Sequence, residues 1–298
     1  MLGTSLKYYV RHPIQLGRAL AADPVEAWLT ARDRYVERQE RQNGVRKYQS
    51  NPDWQRILHE QIGAKWPCTA SIEFPQLWSE VIESLSQNGI QVGPMSFGAW
   101  NDGDAAFVRA IWCLIRHLSP DNVVETGVAH GVTSRFILEA LQRNGKGHLW
   151  SIDLPVPDPS LRGQVGMAVA GPCKERWSLI EGSSRRRLAP LLAKLGRIDL
   201  FIHDSLHSER NVRFEMDRAW AKLTPNGAMV VDDVDANEGF RSFNKAFRSR
   251  ISLVCEAEPV RPDLRRFNEK GLFGIVLKGQ PEQESASTTN AKSQPGPI

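Results

Sequence analysis

The 298-residue sequence has no apolar run approaching the roughly 18–20 residues that a membrane-spanning helix requires. Its first segment, MLGTSLKYYVRHPIQLG, lacks the uninterrupted apolar stretch of a secretory signal. The two absences together set the expectation of a cytoplasmic protein with no membrane span. Cysteine is scarce. Cys68, Cys113, Cys173 and Cys255 form no C-x-x-C pair, and their wide spacing reads as reduced, buried thiols with no zinc knuckle. An excess of one charge is also missing: 38 Lys and Arg stand against 34 Asp and Glu, a formal net charge of +4. No dense basic stripe results, which argues against nucleic acid as a partner. The most basic run, RDRYVERQERQNGVRK, is interleaved with glutamates and reads as a solvated helix face. No internal repeat is present.

What is there is ordinary globular material, 41% hydrophobic and 24% charged, in three textures. Residues 1–100 read as a helical N-terminal extension. Residues 101–278 alternate strand-like and helix-like segments. Residues 279–298 are polar and rich in Pro, Ser and Gln; they cannot bury enough surface to offset their ordering entropy, so a disordered tail is expected. In the extension, Asp23 and Pro24 start one helix, Asn51 and Pro52 another that Gly63 can end, and the stripe Leu77, Val81, Leu85 marks a third. Five of the nine tryptophans (Trp28, Trp54, Trp66, Trp78, Trp100) fall in this first third. They are expected to pack the extension onto the main domain; an acceptor pocket or a contact in a homo-oligomer are the alternatives.

From residue 101 on, a helix with Phe107, Ile111, Leu114, Ile115 and Leu118 on its apolar face precedes a change of period. The strand-like segments NVVETGV, GHLWSIDLP, WSLIEG, IDLFIHDS and AMVVDDV alternate with TSRFILEALQRNG, SRRRLAPLLAKLG and ERNVRFEMDRAWAKL, the turn TPNG standing before the fifth strand. The helix GFRSFNKAFRSR and the strands ISLVCEAE and LFGIVLKG follow. Short apolar strands separated by helices imply an α/β fold with a doubly wound, mostly parallel seven-stranded sheet, its closing pair placing an antiparallel strand at one edge.

Ligands of such sheets sit outside the carboxyl ends of the strands. The first strand runs into Glu125-Thr-Gly127-Val-Ala-His-Gly131-Val-Thr133-Ser134. Gly127 and Gly131 let backbone approach a ligand closely, and Thr133 or Ser134 can cap the next helix. Neither G-x-G-x-x-G nor a P-loop is present, which argues against a nicotinamide oxidoreductase and against phosphate binding. An acidic residue at the strand end suits a cationic ligand instead. The acidic residue followed by x-G-x-x-x-G resembles the first motif of class I S-adenosylmethionine-dependent methyltransferases, whose fold is Rossmann-like. The resemblance continues at Asp153, ending the second strand, where the family's acidic residue holds the ribose hydroxyls, and at Ser183 and Ser184, where it meets the adenine. It implies S-adenosyl-L-methionine as cofactor, bound by Glu125, Gly127, Gly131, Asp153, Ser183 and Ser184.

Asp204 ends the fourth strand, and Asp232 and Asp233 the fifth. Neighbouring strands lie about 4.8 Å apart, so the three carboxylates can converge, and a hard cation such as Mg²⁺ would remove their repulsion. The pattern HDSLH…LTPNG…VVDDV is similar to a branch holding macrolide-sugar O-methyltransferases and cephalosporin hydroxylase-like proteins, in which the matching acidic residues hold a divalent metal. His207, three residues after Asp204, can reach the same cleft and is the candidate general base, with Asp204 at its side. His203 should point to the opposite side of its strand. Asp235, Asn237 and Glu238 can touch the acceptor, and Trp100 and Asp102 can lie at the hinge of a lid made by the extension. The expected reaction is metal-assisted methylation of a small-molecule, sugar or glycan hydroxyl. Metal-free methylation with His207 as base and a non-catalytic ligand-binding protein are the alternatives.

Overall fold

A computed structural model describes residues 17, 21, 23–42, 48–97, 100–156, 158–169, 171–260 and 271–280. The tail expected from 279 lies, from 281 on, outside the described residues. The extension supplies α1 (Pro24–Gln42), α2 (Trp54–Gln61) and α3 (Thr69–Gln87), then a two-stranded antiparallel ribbon, β1 (Gly93–Phe97) and β2 (Trp100–Asp102), that the sequence did not announce. Asp23 accepts from the Glu26 amide at 3.0 Å, as expected of a cap, whereas α2 begins after Asp53 rather than at Asn51.

The main domain is built from α4 (Ala105–Leu118), β3 (Asn122–Thr126), α5 (Val132–Asn144), β4 (His148–Asp153), the single turn α6 (Pro159–Arg162), β5 (Trp177–Glu181) and α7 (Ser184–Leu195). It continues through β6 (Ile198–His203), α8 (Glu209–Lys222), β7 (Leu223–Val231), α9 (Gly239–Ala246), β8 (Ile251–Glu256) and β9 (Leu272–Leu277). Helix α4 is apolar nearly all round, so it is buried nearly all round. Its start is fixed by Asp104, whose carboxylate accepts from the Ala106 and Phe107 amides at 3.0 and 3.2 Å.

The seven strands lie in the order β5-β4-β3-β6-β7-β9-β8, a doubly wound sheet in which β9 runs antiparallel to both its neighbours. The antiparallel strand is thus one place in from the edge, because β9 inserts between β7 and β8 instead of adding outside them. The segment TPNG, expected as a turn, is drawn into β7, with Asn226 at φ 63° keeping the turn-like backbone.

Two apolar layers sandwich the sheet. Val123, Leu149, Leu200 and Val230 face α4, α5 and the extension helices α2 and α3. Val124, Ile152, Phe201, Met229 and Val231 face α7, α8 and α9. Each fully buried Phe or Leu contributes about 1.5–3 kcal/mol. The extension joins this core: Phe74 and Trp78 pack against Phe136 at 5.5 and 5.2 Å, and the Trp78 indole donates to the Val260 carbonyl at 2.8 Å. Trp54 and Trp78 therefore pack the extension, whereas Trp28 is 59% exposed. The side chains of Trp100 and Asp102 lie outside the described residues.

Register sets the site. Thr126 pairs with Ile152 and His203, and His203 with Val231. The residues just past these positions, Gly127, Asp153, Asp204 and Asp232, emerge at one level along the carboxyl ends of four adjacent strands.

Candidate active site

The loop after β3 turns on residues with left-handed backbone: Gly127 at φ 88°, Ala129 at φ 49° and Gly131 at φ 82°. A side chain at Gly127 would collide with the Asp204 carbonyl, so the glycine permits contact between the loops of β3 and β6. Gly131 itself is the N-cap of α5, with no side-chain cap. The expected cap from Ser134 fails because its hydroxyl is used elsewhere: it donates to Glu125 at 2.7 Å, as does Ser151.

Glu125 is fully buried beneath this loop. Its Oε2 takes both serine bonds, while Oε1 has no partner among the described residues. Burial pushes its carboxyl up to about 7; the two serine bonds pull against that and the Asp153 charge adds to it. Asp153 is likewise pushed up to about 7 by burial, against backbone bonds from Leu154, Ala129 and Val128, with the Glu181 charge adding. Bonds to Val128 and Ala129 tie Asp153 to the glycine loop, and a cleft of about 90 Å³ opens beside it, lined also by Leu154, Arg162, Val165, Leu179 and Glu181.

The serine pair divides. Ser183 caps the start of α7 by position only; its hydroxyl is buried with no partner among the described residues. The Ser184 hydroxyl donates to Asn211 on α8 at 3.4 Å, and neither serine lines the cleft beside Asp153.

The acidic cluster converges, with His207 at its centre. The His207 Nε2 lies 3.9 Å from Asp204 Oδ1 and 3.9 Å from Asp232 Oδ2, while Nδ1 lies 3.7 Å from Asp233 Oδ2. Asp204, His207 and Asp232 offer ligand atoms all within 4.8 Å of one another. Asp233, grouped with Asp204 and Asp232 on the sequence, sits across the imidazole from them. The cause is local: Asp233 has φ 49°, so the chain reverses within the Asp232-Asp233 pair and sends the two carboxylates to opposite sides of the ring. His207 is 8% exposed. Asn237 holds it from behind, donating to the His207 carbonyl at 3.0 Å while accepting from the Gly239 amide at 2.7 Å. Asp235 is fully buried and accepts from the Leu272 amide at 3.2 Å, and Glu238 bonds Arg241 at 3.1 Å. Asp235 and Asn237 are buried in bonds to backbone groups, while the Glu238 side chain is 29% exposed.

His203, set aside on the sequence, is part of the site's support. Its Nδ1 lies 2.7 Å from Glu215 Oε2, both side chains are fully buried, and its ring meets His207 edge-on at 5.4 Å. Glu215 also accepts from Thr126 at 2.5 Å, Ser205 at 2.8 Å and Asn211 at 2.9 Å. Burial alone would raise its carboxyl. The His203 charge and the surrounding hydrogen bonds outweigh burial and bring it down to about 2. Sequence reasoning missed Glu215 and Asn211. The available signal was their spacing of four on α8, which puts two polar groups on the face that also carries Val212 and Met216.

Residues 124–234 match the family model of a methyltransferase domain. That stretch contains every candidate residue from Glu125 to Asp233. No curated protein matches the sequence. Among solved structures, a Klebsiella pneumoniae protein provisionally named an O-methyltransferase is 14% identical, over 74% of this chain and 95% of its own, with a TM-score of 0.49. The O-methyltransferase TomG of Streptomyces achromogenes, solved with S-adenosylmethionine and involved in tomaymycin synthesis, is 15% identical over 68% of this chain and 89% of its own, TM-score 0.49. An O-methyltransferase of Bacillus cereus with bound S-adenosylhomocysteine is 12% identical over 74% and 97%, TM-score 0.44.

Proposed function

We propose that the methyltransferase domain of this chain transfers a methyl group from S-adenosyl-L-methionine to a hydroxyl oxygen of a small molecule or sugar, at a site where Asp204 and Asp232 hold a divalent cation. The observation that carries the reading is the common level of Gly127, Asp153, Asp204 and Asp232 along four neighbouring strand ends, which sets a pocket for a cationic donor beside a group of carboxylates.

The donor set fits a hard divalent ion: the carboxylates of Asp204 and Asp232, each with an oxygen 3.9 Å from His207 Nε2, which stays free of the ion to act as base. Such an ion, when bound, stabilises the developing oxyanion of the acceptor. The chain's own residues do the rest. Asp153 accepts hydrogen bonds from ribose hydroxyls. Glu125, buried with one oxygen lacking a partner among the described residues, supplies negative charge beneath the glycine loop to the donor's ammonium and sulfonium end. Gly127 and Gly131 let the backbone close on the donor, and Ser183 at the start of α7 offers a hydroxyl with no partner among the described residues. His207 takes the acceptor's proton at Nε2. Asp233, opposite Nδ1, holds the ring's tautomer and stabilises its protonated form. Because the sulfonium leaves as a neutral thioether, most of the rate comes from alignment and exclusion of water.

One observation favours a second reading. Three carboxylates lie 3.7–3.9 Å from the His207 ring nitrogens and stabilise the imidazolium that forms when the ring takes the acceptor's proton, which suits metal-free transfer with His207 as base. The test is calorimetric titration of S-adenosylmethionine with and without Mg²⁺, followed by labelled methyl transfer to a panel of catechols and sugars. Failure of the cofactor to bind refutes the whole reading. Turnover that survives a chelator decides for the metal-free form.

A further inference from the structure

We infer that the junction between the N-terminal extension and the main domain is a zinc-binding site, with His59, Cys68 and Cys113 as ligands and His117 closing it. The inference is independent of the proposed reaction. His59, Cys68 and Cys113 come from three different helices or their caps: the last turn of α2, the N-cap of α3 and the middle of α4. Their ligand atoms lie within 4.8 Å of one another, and all three side chains are buried, at 1%, 7% and 2% exposure. His117 follows Cys113 by one helical turn on the same face of α4, its ring 5.2 Å from that of His59.

The details are those of a ligand set. The His59 Nδ1 lies 2.7 Å from the Gln55 carbonyl, which accepts its proton and leaves Nε2 as the free lone pair. Metal-binding histidines are oriented by this second-nitrogen bond. Nε2 then points at Cys68 Sγ, 3.2 Å away. Zinc bonds of about 2.3 Å to sulfur and about 2.0 Å to nitrogen put two tetrahedral ligands roughly 3.5 Å apart, so little movement is needed. Cys68 Sγ also accepts from the Ser71 amide at 3.2 Å, a bond that favours thiolate. The Trp66 ring, 4.7 Å from His59, covers one side. A Cys₂His₂ set of sulfur and nitrogen donors selects zinc over the hard ions suited to Asp204 and Asp232. The sequence concealed it because the ligands are spread from 59 to 117 with no paired spacing.

Cobalt(II) tests it on the intact wild-type chain under reducing conditions. Thiolate ligation produces a sulfur-to-cobalt charge-transfer band, which the carboxylate site cannot give because it holds no sulfur. The band should appear at one equivalent, be displaced by Zn²⁺, persist at full intensity in Cys173→Ser, weaken in Cys113→Ser, where Cys68 is the remaining sulfur ligand, and vanish when Cys68 and Cys113 are both replaced by Ser. No charge-transfer band at cobalt saturation of the wild type overturns the site without reliance on any variant. His117→Ala should hasten zinc loss to a chelator; an unchanged rate removes His117 from the set.

Discussion

The cofactor reading makes a demand on pH. Glu125 and Asp153 are both carried up to about 7 by burial. Above that value they are carboxylates that can hold ribose hydroxyls and a cationic donor; below it they are neutral acids that do so less well. For one such group with a value of about 7, the ionised fraction falls from about three-quarters at pH 7.5 to about one-tenth at pH 6, so affinity should fall about eightfold. If both ionisations are required, the loss approaches about 70-fold. The window stops at pH 7.5 because the donor's own α-ammonium starts to lose its proton near 7.7 to 8.0. Calorimetric titration of S-adenosylmethionine at pH 6, 6.5, 7 and 7.5 measures the slope, and Glu125→Gln should remove about one eightfold factor of it. The same groups act with opposite sign on the unliganded protein. The folded state holds their protons more tightly than the unfolded chain, so their contribution lowers stability as pH rises from the ordinary carboxyl range to about 7 and is constant above it. A dissociation constant that stays flat from pH 6 to 7.5 would refute the reasoning, because it would mean that neither buried carboxyl touches the ligand.

Three further outcomes follow from the geometry. Glu215→Gln removes one partner of the fully buried pair with His203 and should cost about 3–5 kcal/mol, read as a fall in denaturation midpoint. Gly127→Ala forces a side chain at φ 88° against the Asp204 carbonyl; a penalty of at least about 1–3 kcal/mol and loss of cofactor binding are expected by melting and calorimetry. Asp204→Asn and Asp232→Asn should each lower turnover by about a hundredfold or more while leaving cofactor affinity within about threefold, a split read from kcat against the cofactor's Kd.

The sheet was legible because buried parallel strands carry an unmistakable pattern: VVET, IDLFIH and AMVV are short, apolar and bounded by turn residues. Where reading failed, tertiary context had overruled a local signal. TPNG has the composition of a turn, yet it lies inside β7 as an irregularity between the paired residues Leu223 and Ala228. Ser134 has the chemistry of a cap, yet Glu125 claims its hydroxyl, a competition between residues nine apart that no local window contains. The inserted position of β9 depends on a pairing order that spacing does not encode.

The site shows the same boundary more sharply. That Asp204, His207 and Asp232 share one cleft followed from strand ends and a three-residue spacing. That the imidazole divides Asp232 from Asp233 did not, because it depends on the backbone of a single residue, Asp233 at φ 49°. An extended Asp233 would alternate to the other face of its strand and leave His207 with carboxylates on one nitrogen only. The reversal gives the ring a carboxylate on each side, 3.9 Å from Nε2 and 3.7 Å from Nδ1, while Asn237 bonds the His207 backbone carbonyl and the His203 ring packs edge-on against the imidazole. A histidine held in this way is oriented before substrate arrives. Asp233→Asn, which keeps shape and backbone preference but removes the charge opposite Nδ1, should therefore lower kcat and leave cofactor binding intact. Asp233→Val, which disfavours the left-handed backbone, should disturb both. Equal effects from the two variants would show that the backbone reversal, rather than the carboxylate, is what the site uses.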